Sequence, residues 1–239
     1  YDKTGLEAFA KALASLGVEL VASGGTAEFL STQGLRITTV EEFAGVAEQL
    51  DGRVKTLHPK IHAGILARRD DPAHVKAVGE RGLIDLVVVT LYPFDDTVRR
   101  PGTSLAEAIE QIDIGGVALL RAAAKNFAHV AVVSGPAQYG EVAEALRRGH
   151  NQLPDTMTQQ LAVIAFQLTS TYDTWICRYL TSPGSLTSAA GPIGPGHTTP
   201  DVATVSLRKH QGLRYGENPH QQGAWYVPAE TPAWGLGTL

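Results

Sequence analysis

Short runs of β-branched, apolar residues alternate with segments of helical spacing along this chain, and that alternation limits the fold more than any other feature. Residues 84–90 (IDLVVVT) and 129–134 (HVAVVS) are near-continuous apolar runs. A strand wetted on one face would alternate polar with apolar residues, so these runs predict strands covered on both faces. Residues 18–22 (VELVA) and 36–40 (RITTV) predict two more short strands. Residues 4–16 set Leu6, Phe9, Ala10, Leu13 and Leu16 on one helical stripe, with Thr4 as N-cap and Gly17 as the stop. Helices are likewise predicted over 26–33, 72–81, 104–112, 116–125, 136–148 and 155–181. Strands separated by helices run parallel, because a parallel pair needs a long crossover. The predicted fold class is therefore α/β: a parallel sheet flanked by helices on both faces.

Composition narrows the function classes. Hydrophobic residues make up 44% and charged residues 18% of the 239 positions, a globular balance that argues against a disordered chain. Twenty basic residues against 24 acidic ones give a net charge of −4, which supports neither a nucleic-acid coat nor a binder of anionic membranes. The single cysteine, Cys177, leaves no internal disulfide or multi-cysteine metal centre and fits a reducing, cytoplasmic setting. It is read as a core residue of the helix over 155–181. No run of about 18 apolar residues predicts a membrane span, and no basic-then-apolar leader opens the chain. The chain begins at Tyr1, inside a loop-like segment, and reads as a piece of something longer. Residues 182–200 are rich in Pro, Gly and Ser and predict a linker, and the segment 201–239 is too short to fold alone.

In an open parallel sheet, ligands collect beyond the carboxyl ends of the strands. The notable loops all fall there: Asp2-Lys3-Thr4 before the first helix, Ser23-Gly24-Gly25-Thr26 after strand 18–22, and Thr90-Leu91-Tyr92-Pro93 after strand 84–90. Ser-Gly-Gly-Thr at a strand-to-helix junction can cradle a phosphate, since glycines admit close approach and a helix N-terminus offers free N–H groups. It can equally be a tight capped turn. Arg53-Val54-Lys55-Thr56 completes an anion site if it faces the same edge, and is otherwise a solvated basic turn. Asp113, ahead of Ile114-Gly115-Gly116, can cap the following helix or act as a general base. Lys125 can neutralise a helix C-terminus or move a proton. His58 and His62 are four apart, but Pro59 lies between them and no third ligand is evident, so no metal is expected. Serine-hydrolase, P-loop and dinucleotide fingerprints do not occur.

The segments DKTGL, ASGGTA, DGRVKTLHPKIHAGILARR, LYPF, QIDIGGVALLRAAAKN and RYGENPHQ stand in order along the chain. Together they closely resemble the bifunctional purine-biosynthesis family, in which an inosine-monophosphate cyclohydrolase is joined to an aminoimidazole-carboxamide-ribotide (AICAR) formyltransferase. The resemblance implies a cyclohydrolase domain of methylglyoxal-synthase-like fold over residues 1–181. It also implies a linker over 182–200 and the truncated start of a formyltransferase domain over 201–239. The implied reaction closes the purine ring of the formylated carboxamide ribotide, giving inosine monophosphate and water.

Carried over by motif, the nucleotide contacts are Asp2, Lys3, Ser23, Gly24, Gly25, Thr26, Arg53, Val54, Lys55, Thr56, Asp113 and Ile114. The reaction-centre residues are Lys55, Tyr92, Asp113 and Lys125. Thr90 stands where the family often has Asn and supplies one donor where an amide supplies two. Arg214 and Tyr215 match a substrate-contacting segment of the formyltransferase. The resemblance further implies a homodimer and no cofactor for ring closure. 10-Formyltetrahydrofolate is the implied co-substrate of the other activity, which is not expected of this chain. The carboxamide nitrogen is a poor nucleophile, so a base such as Asp113 must take its proton. The formyl oxygen gains charge and needs donors from Lys55, Tyr92 or a backbone N–H, and the departing hydroxyl needs a proton, for which Lys125 is the candidate. The two lysines' roles can be exchanged. Two other readings use the same loops: a non-catalytic nucleotide or phosphate sensor, and a lyase acting on a triose phosphate.

Overall fold

The computed structural model describes residues 1–181 and 204–228. Helix α1 (Leu6–Ser15) buries Phe9, Ala10 and Leu13, as its stripe requires. Its cap is Gly5 in the left-handed region, not Thr4; the Thr4 N–H instead donates to Asp2 Oδ1 at 2.8 Å, which turns the chain one residue earlier. Strand β1 (Leu20–Ala22) leads into α2 (Gly24–Thr32), then β2 (Ile37–Thr39) and α3 (Val40–Ala44). Helix α2 begins two residues before the predicted start, so the glycines of SGGT form its first turn rather than an exit loop. Helix α3 is not legible as periodicity. A capping box starts it: Thr39 accepts from the Glu42 N–H and Glu42 from the Thr39 N–H.

Helix α4 (Pro59–Leu66) starts at a proline with His58 as its cap, and α5 (Pro72–Val78) ends at Gly79 (φ 75°), short of the predicted 81. Strand β3 (Leu86–Val88) is followed by α6 (Phe94–Val98), α7 (Leu105–Glu110) and α8 (Gly115–Lys125). Strand β4 (Ala131–Val133), α9 (Tyr139–Arg148) and the long α10 (Asp155–Thr181) complete the main body. Cys177, read from the sequence as core, is exposed on α10.

The strands pair in parallel, β1 with β2 (Leu20 opposite Ile37) and β3 with β4 (Leu86 opposite Ala131). Among the described residues these are two separate two-stranded ladders, not the single continuous sheet expected. Each ladder closes within its own strand–helix–strand unit, and the two share a core rather than hydrogen bonds. That core brings together Phe9, Val87, Leu120, Val132 and Val142, with Leu20 packed against it. Helix α8 turns Leu120, Ala122, Ala123 and Ala124 inward against α10, which presents Leu161, Ala162 and Ala165. Small side chains on both surfaces let the two helices approach closely. Buried Asn126 donates from Nδ2 to the carbonyls of Ile65 (2.7 Å) and Ala67 (3.0 Å), tying the end of α4 to the end of α8.

A second, smaller cluster joins Phe94, Ala108 and Tyr172, with Phe94 edge-on to Tyr172 (6.2 Å) and Tyr179 (5.7 Å). It fastens the 91–113 segment to α10. The predicted linker lies outside the described residues. Of the 201–239 segment, residues 204–228 hold an antiparallel hairpin, β5 (Leu207–Leu213) with β6 (Gly223–Pro228). Its length predicts no structure of its own for that segment, but cross-strand hydrogen bonding needs no large core.

Candidate active site

Ser23, with an extended backbone (φ −112°, ψ 151°), is the cap residue of α2, whose first N–H groups have no partner within the helix. Gly24 and Gly25 are exposed there, with Ser23 and Thr26 half-buried behind them. Two amines converge on this turn. A β-carbon added at Gly24 would stand 3.2 Å from Lys55 Nζ, and one at Gly25 would stand 3.7 Å from Lys3 Nζ. Lys3 also lies over the Phe29 ring at 5.5 Å, which fixes its stem above α2. Bare glycines, helix N–H groups and two ammonium ions make an anion cradle, with no bulk in the way of an incoming oxygen.

The basic loop is shaped by a tight turn: Gln49 and Val54 exchange backbone hydrogen bonds at 3.0 and 3.2 Å, so Val54 contributes scaffold. Lys55 folds back over Gly52 and pairs with Glu48 at 3.0 Å, while Arg53 pairs with Glu110. Both cations thus carry carboxylate counter-ions. Nothing in the residue types at 48 and 110 marks these acids as partners; only the fold does.

Thr56 links this loop to the next one. Its Oγ1 would lie 2.7 Å from a β-carbon at Gly115, so a glycine is required at the start of α8. Gly116 is equally constrained, because its N–H donates to Asp113 Oδ1 at 2.7 Å and a β-carbon there would strike that carboxylate. The Asp113 carboxylate therefore does satisfy an N–H in the first turn of α8, and both its oxygens lie against that turn, within 3.0 Å of where a Gly116 β-carbon would stand. The Tyr172 hydroxyl accepts from the Asp113 N–H (2.9 Å) and donates to the Gln111 carbonyl (3.0 Å). Ile114 is 60% exposed beside it.

The ring of loops closes at Thr90. The Tyr1 nitrogen donates to the Thr90 carbonyl (3.0 Å) and to its Oγ1 (2.8 Å), and that hydroxyl donates to the Asp2 carbonyl (3.2 Å). The Asp2-Lys3 loop is held to the exit of β3, and the hydroxyl in place of an amide takes part in the holding. The Tyr1 ring meets Tyr92 edge-on at 5.7 Å, leaving the Tyr92 phenol exposed. The hydrogen bonds from Thr4 hold the Asp2 carboxyl below its usual range.

Three expected residues lie outside this ring. Lys125 is the last residue of α8, whose 11 residues rise about 16 Å. It is exposed at the far end of the helix from Asp113. Arg214 and Tyr215 stand in the loop joining β5 to β6. The two histidines serve different ends. His58 Nδ1 caps α4 by accepting from the Lys60 N–H. His62 lines a cleft of about 510 Å³ beside Asp113, Arg121 and Asp173, and burial lowers its pKa. That cleft opens on the α8–α10 side of Asp113 and does not reach the cradle. Among the described residues no three His, Cys, Asp or Glu side chains are grouped to hold a metal. No helix among them is long and apolar enough to cross a membrane.

Comparison with known proteins places the chain among relatives. A family profile for an MGS-like domain matches residues 5–118, and one for the AICARFT/IMPCHase bienzyme matches residues 123–236. The bifunctional purine biosynthesis protein PurH of Magnetococcus marinus is 48% identical over 97% of this chain and 42% of its own length. Those of Lacticaseibacillus paracasei and Chloroflexus aurantiacus are each 51% identical over 95% of this chain and 41% of theirs. The chain thus spans about two-fifths of the curated relatives it matches. The crystal structure of ForH superposes with a TM-score of 0.67 at 35% identity, covering 74% of this chain and 91% of ForH. With an MGS-like domain, a bienzyme profile and about half its residues in common with these relatives, the chain belongs to the AICARFT/IMPCHase family of bifunctional purine-biosynthesis proteins.

Proposed function

We propose that this chain is an inosine-monophosphate cyclohydrolase, closing the ring of the formylated carboxamide ribotide with loss of water. The observation that carries the reading is the continuous run of contacts from Lys3, Lys55 and the α2 N-terminus, through Thr56, to the Asp113 turn. A mononucleotide spans such a run, with its phosphate on the cradle and its base toward Asp113. Ser23, Gly24, Gly25 and Thr26 receive the phosphate; Lys3, Arg53 and Lys55 neutralise it. Asp113 takes the carboxamide proton as the nitrogen attacks the formyl carbon. Tyr92 and Lys55 donate to the oxygen that gains charge, and Lys55 is the immediate proton donor as that oxygen leaves as water. The two protons the water carries away are balanced by the carboxamide proton taken by Asp113 and by the proton the former formamide nitrogen loses as its double bond to carbon forms. Holding both reacting ends in one cleft lowers the barrier further, because the step is intramolecular. Lys125 lies a helix length away, so this scheme gives it no step within one chain.

The whole protein is read as a cytoplasmic, nucleotide-binding homodimer. In it, AICAR formyl transfer draws on 10-formyltetrahydrofolate through residues beyond those present here. The test is Asp113→Asn, assayed spectrophotometrically for ring closure and calorimetrically for inosine-monophosphate binding. Turnover falls by about 10²-fold or more while binding persists within a few-fold. Turnover like that of the unaltered chain removes Asp113 from the reaction. Nucleotide binding by the unaltered chain with no ring closure favours the sensor reading instead.

A further inference from the structure

We propose that Tyr172 is a positioning residue for Asp113, a role that rests on the ring-closure reading for its catalytic consequence but not for its geometry. Tyr172 comes from α10, 59 residues away in sequence, and is 1% exposed. Its hydroxyl touches the 111–113 turn twice, accepting from the Asp113 N–H and donating to the Gln111 carbonyl. The turn therefore closes around a side-chain oxygen instead of around its own backbone. On the other side, Asp113 Oδ1 accepts from the Gly116 N–H. The aspartate is thus fixed at its backbone by one helix and at its carboxylate by another, so the carboxylate is held in one orientation at the start of α8.

The phenol suits this task because it must both accept and donate. Burial, the main cause, pushes its pKa up to about 12, so the proton needed by the Gln111 carbonyl stays in place across the neutral range. Phe94 packs edge-on against the ring and holds it to the small cluster beneath the turn. A general base acts only within hydrogen-bond reach of its proton, and a displacement of about 1 Å costs on the order of 10²-fold in rate. Tyr172 is buried and its hydroxyl is taken up by the 111–113 turn, so its influence is exerted through Asp113.

Tyr172→Phe keeps the ring and removes only the hydroxyl. In the full chain, kcat for ring closure falls by about 10- to 10²-fold while KM stays within about threefold. Hydrogen exchange at the Asp113 amide quickens by about tenfold or more, with α1 and α9 unchanged. Leu161→Ala, in the main core of the same helix, serves as the stability control. It lowers the melting temperature yet leaves kcat within about threefold below its transition. An unchanged kcat in Tyr172→Phe, or an equal loss in folded Leu161→Ala, overturns the role. If the unaltered chain closes no ring, the functional reading has failed, and amide exchange alone decides whether Tyr172 holds Asp113: unchanged exchange overturns it, faster exchange sustains it.

Discussion

The anion cradle and the Asp113 turn lie within one ring of loops yet are built on opposite plans. The cradle is made of exposed glycine backbone and long cationic side chains whose partners, Glu48 and Glu110, are themselves largely exposed. Such pairs are worth about 0–1 kcal/mol and yield readily to a better anion. The Asp113 turn is instead bound by a helix N–H and clamped by a buried phenol. Attraction for a charged group tolerates motion, because Coulomb energy varies slowly with distance. Proton transfer does not, because it needs contact geometry. Under the proposed function, the contrast assigns binding to the first region and reaction to the second.

Three substitutions bear on that division beyond Asp113→Asn and Tyr172→Phe. Lys3→Met removes one of the two amines over α2 without touching the turn. A hydrogen bond to a charged group is worth about 1.5–3 kcal/mol, so inosine-monophosphate affinity falls by about tenfold or more. Turnover at saturation holds within a few-fold, and a collapse of kcat in this variant breaks the division. Glu48→Gln frees Lys55 from its counter-ion and tightens binding of inorganic phosphate by about two- to fivefold, with Glu144→Gln on α9 as a charge control. Weaker binding shows that Glu48 orients the amine instead of competing for it. Lys125→Met has the smallest expected effect, less than about threefold on turnover, because the amine lies a helix length from the turn. A tenfold loss there brings Lys125 to the site from a second copy of the chain.

Much of the fold is legible in the order of residues. The apolar runs at 84–90 and 129–134 become β3 and β4, and the Leu6–Phe9–Leu13 stripe becomes α1. Gly79 cuts α5 short, and α3 and α6 escape the periodicity because five residues are too few to show a stripe; α3 is specified by its capping box instead. At the site, SGGT, the basic loop and Asp113 can be named from residue type and their place after strands. Tyr172, Glu48 and Glu110 cannot, since a tyrosine in an apolar helix reads as core and two acids on a charged chain read as surface.

The sequence by itself determined most element types, the parallel pairing of β1 with β2 and β3 with β4, and the candidate loops that follow the strands, because side-chain periodicity and glycine placement act over a few residues. Only the tertiary structure decided which loops meet. The convergence of Lys3 and Lys55 on α2, the clamp from α10 onto Asp113, and the distance that sets Lys125 apart all depend on how helices pack across tens of residues. That packing is settled by the shape of the whole core, which no local window contains.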